Sequence, residues 1–81
     1  MNLFVANINF KLTSEDLQEI FEEYGSVSNC KIIMDRETGK SKGFGFVEMK
    51  SQPDAIRAIR ELNGAEVDGV NLVVKQARDN N

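Results

Sequence analysis

The chain has 81 residues, 41% of them apolar and 28% charged, with a net charge of −3; it is sized for one small globular domain with a single core. There is no histidine and a lone cysteine, Cys30, which excludes an internal disulfide, the usual Cys/His zinc sites and any histidine-based triad or general base. No apolar stretch approaches the ~18 residues that span a bilayer, and the N-terminus lacks the segments of a secretory signal, so the chain is expected inside the cell and away from any membrane, in the cytoplasm or, in a eukaryote, the nucleus or a plastid.

Residues 2–8 read as a first strand, with Leu3 and Val5 on one side and Phe4 on the other. A helix is predicted from about Ser14 to Glu23. Thr13 is its N-cap, Asp16 occupies the N3 place of a capping box, and Leu12 and Leu17 take the two places of a hydrophobic staple. Leu17, Ile20, Phe21 and Tyr24 recur at helical spacing and form one apolar stripe. Gly25 is expected to end the helix as a left-handed cap.

A second strand covers residues 27–34, with Cys30 and Ile32 inward and Lys31 and Ile33 outward. The polar loop 35–41 leads to a third strand at 42–49. Ser51 and Pro53 open a second helix whose buried side is Ala55, Ala58, Ile59 and Leu62, and Asn63-Gly64 stops it. After a tight turn at Asp68-Gly69, a last strand runs from about Val70 to Ala77, with Leu72 and Val74 inward and Val73 and Lys75 outward. No repeat or linker interrupts this order. The domain spans residues 1–78, and 79–81 form a short polar tail.

The order strand–helix–strand–strand–helix–strand predicts an α+β fold, the ferredoxin-like βαββαβ arrangement: a four-stranded antiparallel sheet with two helices on one face. Two helices cover one face of such a sheet and leave the other open.

The third strand says which face. In Lys42-Gly43-Phe44-Gly45-Phe46-Val47-Glu48-Met49 the alternation puts Lys42, Phe44, Phe46 and Glu48 on one side and the glycines, Val47 and Met49 on the other. Packing Leu3, Val5 and Val47 against Leu17, Phe21, Ile59 and Leu62 satisfies both helix stripes, and a one-residue slip would invert it. Phe4, Phe44 and Phe46 then lie on the open face, where apolar rings beside a lysine suit the stacking of nucleic-acid bases. Phe10, Phe21 and Tyr24 are assigned to the core or to helix-edge packing. An acidic net charge argues against a nucleic-acid partner, but residues 13–24 hold five carboxylates and no Lys or Arg, which leaves the remainder of the chain at +2. Lys31, Lys75 and Arg78 are further electrostatic contacts on this reading.

These residues resemble the RNA recognition motif family. The octapeptide pattern K/R-G-F/Y-G/A-F-V-x-F/Y is met from Lys42 to Glu48, and Met49 departs from the final aromatic. Leu3-Phe4-Val5-Ala6-Asn7-Ile8 is similar to the family's partner hexapeptide. Asp35-Arg36-Glu37-Thr38-Gly39, Leu62-Asn63-Gly64 and the ending Leu72 to Arg78 are similar too, whereas Val70 stands where many relatives carry arginine. The likeness covers nearly the whole chain and looks closest to the small single-domain RNA-binding proteins of bacteria and plastids.

The resemblance implies a monomeric binder of single-stranded RNA, with single-stranded DNA as the alternative ligand and with no cofactor or metal. It implies that Phe4 and Phe44 each stack under one base, that Phe46 wedges near the sugars between them, and that Lys42 pairs with a phosphate. Gln76 and Ala77 would offer amide and backbone groups to base edges, while Asn7 is a structural strand-end residue. A salt dependence shallower than that of a basic duplex binder follows from the few cations.

Two other classes compete. Acylphosphatase-like enzymes share this topology, but an anion site before the first helix needs basic or glycine-rich groups, and Asn9-Phe10-Lys11-Leu12 has neither arginine nor glycine; the chain is therefore not read as an enzyme. The alternative with more substance is a protein–protein interaction module that docks a partner on its acidic first helix or on the phenylalanine face.

Overall fold

The computed structural model describes residues 1–77. Its elements are β1 (Asn2–Ala6), α1 (Ser14–Glu22), β2 (Val27–Met34), β3 (Ser41–Met49), α2 (Gln52–Leu62), β4 (Glu66–Val67), β5 (Val70–Asn71) and β6 (Val73–Gln76). Four of the strands make one antiparallel sheet in the order β2-β3-β1-β6, and β4 and β5 pair separately as a small hairpin. The ferredoxin-like expectation holds.

Local chemistry sets the helix boundaries. Thr13 Oγ1 accepts from the Asp16 amide at 3.1 Å, and Asp16 Oδ2 accepts from the Thr13 amide at 3.1 Å, a complete capping box that is worth about 1 kcal/mol. Leu12 and Leu17, the staple pair, are both buried. Pro53 sits in the first turn of α2, where its missing N–H costs nothing. Gly64, at φ 86°, follows the Asn63 cap.

One core fills the space between the sheet and the helices. Leu3 and Val5 from β1, Ile32 from β2, Val47 and Met49 from β3, and Leu72 and Val74 meet Leu17, Phe21, Ala55, Ala58 and Leu62 from the helices. Met49, the departure from the octapeptide pattern, is fully buried there. Cys30 also faces the helices: its thiol donates to the Ser14 carbonyl at 3.4 Å, and burial pushes its pKa up to about 11 from 9.0.

Three local expectations are corrected. Gly25 is not left-handed; α1 closes instead through the Tyr24 amide donating to the Phe21 carbonyl at 3.0 Å. Glycine is required at 25 because a Cβ there would stand 2.6 Å from Asp54 Cβ. The last sheet strand begins at Val73, not Val70, because Asp68 and Gly69 both adopt positive φ and turn Val70–Asn71 back onto Glu66–Val67. Phe10 is not packed: it is 69% exposed in the β1–α1 connection. Its neighbour Asn9 holds that connection, donating from Nδ2 to the Asp68 carbonyl at 2.9 Å and accepting at Oδ1 from the Lys11 amide at 2.9 Å, so the backbone geometry leaves the ring outside.

Candidate nucleic-acid interface

β1 and β3 lie side by side at the centre of the sheet, and their register sets the site. Phe4 is directly opposite Phe46, Phe46 is opposite Lys31 on β2, and Phe4 is opposite Lys75 on β6. One row across the sheet therefore reads Lys31–Phe46–Phe4–Lys75, two rings with an ammonium group at each end. Ala6 opposite Phe44 makes the next row, with Val73 beyond. Residues directly opposite in an antiparallel pair have side chains about 5 Å apart on the same face.

The rings themselves touch. Phe4 and Phe46 have centroids 5.7 Å apart at 60°, and Phe4 and Phe44 have centroids 6.0 Å apart at 36°. These are tilted pairs within the favourable range for aromatic contact. Phe46 is the most open of the three at 40%, while Phe4 and Phe44 are half-buried. Lys75 Nζ lies 5.5 Å from the Phe4 centroid. Phe4, Phe46, Lys75, Gln76 and Ala77 line a depression of about 440 Å³.

The close approach of β2 and β3 depends on Gly45. A Cβ at that position would come within 2.9 Å of Ile32 Cα and closer still to the Lys31 carbonyl oxygen. The small residue thus serves the neighbouring strand's backbone rather than a helix, and it lets Phe44 and Phe46 project on either side of it. Gly43 departs from simple strand geometry: its φ is 82°, its amide donates to Ser41 Oγ at 3.0 Å, and its carbonyl accepts from the Ile8 amide at 2.8 Å. Strict alternation therefore runs from Phe44 to Met49, and exposed Lys42 lies just before the bend.

The structure brings Phe4, Phe44, Phe46, Lys31, Lys75, Gln76 and Ala77 onto one face or its rim, and Lys42 to the end of β3 that feeds it. Arg78 lies outside the described residues. Asn7 ends β1 at φ 58° and donates from Nδ2 to the Asn71 carbonyl at 2.7 Å, a structural tie. Among the described residues no group of three or more His, Cys, Asp or Glu is arranged to hold a metal, and no helix is long and apolar enough to cross a membrane.

Sequence alternation did not single out Ser28. β2 is irregular between Val27 and Asn29, and Ser28 Oγ donates to Glu48 Oε1 across the strand pair at 2.8 Å. The adjacent serine and asparagine, poor strand formers inside a strand, are the sequence signal for that irregularity.

Comparison with known proteins agrees with this geometry. RbpE of Nostoc sp., a candidate RNA-binding protein by name, is 46% identical over 78 residues, covering 96% of this chain and 79% of its own length. The crystal structure of RNA Binding Protein PG1 superposes with a TM-score of 0.95 at 47% identity, covering 100% of this chain and 98% of that one. A Sex-lethal protein/RNA complex superposes at 0.92 with 36% identity, covering 99% of this chain and 48% of that one. The RNA recognition motif profile matches residues 3–73. The chain belongs to the RNA recognition motif family.

Proposed function

We infer that this chain binds single-stranded RNA on its open sheet face, as a binding module rather than a catalyst, and that it works as a monomer. The observation that carries the reading is the Phe46–Phe4 pair, two rings 5.7 Å apart on a solvent-facing sheet with a lysine at each end of their row. Water gives no return for that exposure, whereas each base stacked on a ring is worth ~1–3 kcal/mol. The preference for single strands follows from chemistry, because a base inside a duplex has no free face to offer a ring.

The residue roles are those that the resemblance implies. Phe4 and Phe44, with ring centroids 6.0 Å apart, are the stacking rings on this reading. Phe46, two residues along β3 from Phe44 and the most open of the three rings, takes the place beside the sugars. Lys31, Lys75 and Lys42 neutralise phosphates, and Gln76 and Ala77 line the rim where base edges arrive. The observations favour this use of the face over protein docking, since the polar side chains in the phenylalanine row and along the depression are the cations Lys31 and Lys75 and the amide of Gln76, suited to a nucleic-acid strand.

The test is titration of a fluorescein-labelled random single-stranded RNA pool with the wild-type chain and with Phe46→Ala. Binding is expected to weaken roughly tenfold or more in the variant with its thermal melt unchanged. Equal retention of RNA by the two proteins would overturn the reading. A single-stranded DNA pool run alongside measures the preference for the sugar.

A further inference from the structure

Among the described residues, Phe10 is the large apolar side chain that the fold leaves most exposed, at 69%. It joins neither the core nor the Phe4–Phe44–Phe46 cluster. A single exposed phenylalanine is ordinary on a protein surface. Its support and its place on the molecule set this one apart.

The backbone under the ring is held from several sides. The Leu12 amide donates to the Asn9 carbonyl at 3.0 Å, which makes Phe10 and Lys11 the two central residues of a β-turn. Asn9 Oδ1 accepts from the Lys11 amide at 2.9 Å, and Asn9 Nδ2 donates to the Asp68 carbonyl at 2.9 Å. Ile8 and Leu12, on either side of the turn, are buried. The turn is thus fixed before any ligand arrives, and little backbone entropy remains to be lost when something lies against the ring.

The turn also stands where the open face ends. Phe44 is one row further along the face than Phe4 and Phe46, opposite Ala6 and with exposed Val73 beyond. The next contact in the same direction is the Ile8 amide donating to the Gly43 carbonyl at 2.8 Å, and Phe10 follows two residues later. A nucleic-acid strand that passes over Phe4 and then Phe44 is therefore heading for this turn. Lys11 beside the ring and Lys42 at the end of β3 are exposed cations there. Asp68 puts a carboxylate at the same end, so stacking rather than net charge has to supply the affinity.

We propose that Phe10 is a further base-stacking residue, which takes the nucleotide next along the strand beyond Phe44. This rests on the RNA-binding function inferred above. A base laid on the ring covers apolar surface that otherwise faces water, and the ring accepts all four bases because each has a π-face. The contact lengthens the footprint on the strand by one nucleotide and leaves the central stacks as they are.

The experiment uses the full chain and random-sequence RNA octanucleotides. Phe10→Ala is expected to bind the labelled octanucleotides about tenfold more weakly than wild type. Its thermal melt should be unchanged, since the side chain lies outside the core. The deficit should persist in high salt, because stacking neutralises no phosphate. Phe10→Trp keeps a stacking ring and should keep the affinity. The chain has no other tryptophan, so its emission reports on this position alone, and saturation with unlabelled octanucleotides should quench it. Ile56→Trp, on an exposed position of α2, should show no such quenching. Equal octanucleotide affinity of Phe10→Ala and wild type would overturn the inference alone and leave the ring to a protein partner. Unquenched emission from Phe10→Trp with RNA bound, or a deficit that vanishes in high salt, would overturn it too. Failure of the wild type to bind the octanucleotides would overturn it together with the RNA-binding function.

Discussion

Lys75 on β6 and Phe4 on β1 are direct partners across the strand pair, and the lysine Nζ lies 5.5 Å from the centre of the phenylalanine ring. An ammonium over an exposed ring gains about 0.5–1 kcal/mol, so the contact orients Lys75 more than it stabilises the fold. It also places a positive charge at the rim of the ring on which a base would lie.

Lys75→Met keeps the aliphatic stem and removes the charge. RNA affinity is expected to fall, and the slope of log affinity against log salt to become shallower by about 0.7, the contribution of one phosphate contact to a single strand. Fluorescence anisotropy across a series of salt concentrations measures both. An unchanged slope would place Lys75 outside the phosphate path.

Phe46 and Phe44 should separate by assay. Phe46→Ala is expected to cost ~1–3 kcal/mol in RNA binding with little change in melting, because its ring is the most open of the three. Phe44 is half-buried and stands against the Phe4 ring, so Phe44→Ala should cost at least as much in binding and more in melting temperature. Parallel titrations and thermal melts decide between this assignment and the reverse.

Gly45→Ala is expected to destabilise the fold by roughly 1–3 kcal/mol through overpacking. The added methyl has nowhere to go, since the atoms it meets belong to the β2 backbone at Lys31 and Ile32 rather than to a flexible side chain. Urea denaturation gives the number. A variant as stable as wild type would show that β2 and β3 separate easily.

The Cys30 thiol, raised by burial to about 11 from 9.0, couples stability to alkaline pH. The folded state keeps its proton where the unfolded chain has lost one, so this contribution is present in full below about pH 9 and disappears as pH rises toward 11. Melting temperature should therefore fall more steeply over that interval in wild type than in Cys30→Ala. Maleimide labelling at neutral pH should be slow for the same reason, since the thiolate is the reactive form.

Much of this fold is legible in the sequence because two periods never conflict. Leu3, Val5, Val47, Leu72 and Val74 alternate as strand residues, while Leu17 and Phe21, or Ala55, Ala58 and Leu62, recur at helical spacing, so one choice of faces buries them all. What stayed hidden depends on contacts between distant segments. Gly25 looks like a helix cap from its neighbours alone, yet its small size answers to Asp54. Phe10 reads as core by its chemistry, but Asn9, tied to the turn at Asp68, holds its ring outside. The short hairpin before β6 was hidden for another reason: Val70 continues an apolar alternation that only the positive φ values at Asp68 and Gly69 break. At the site, alternation placed the phenylalanines, but the pairing that puts lysines at both ends of their row is a matter of register.

That register has a practical corollary. The two opposed rings come from the first strand and from the third, and only the closed antiparallel pair sets them side by side. A partly unfolded chain has no half-formed platform to offer. A nucleic acid held there would act as a clasp across the middle of the sheet, raising the melting point with its concentration and making ligand protection a direct gauge of whether the central strands have zipped.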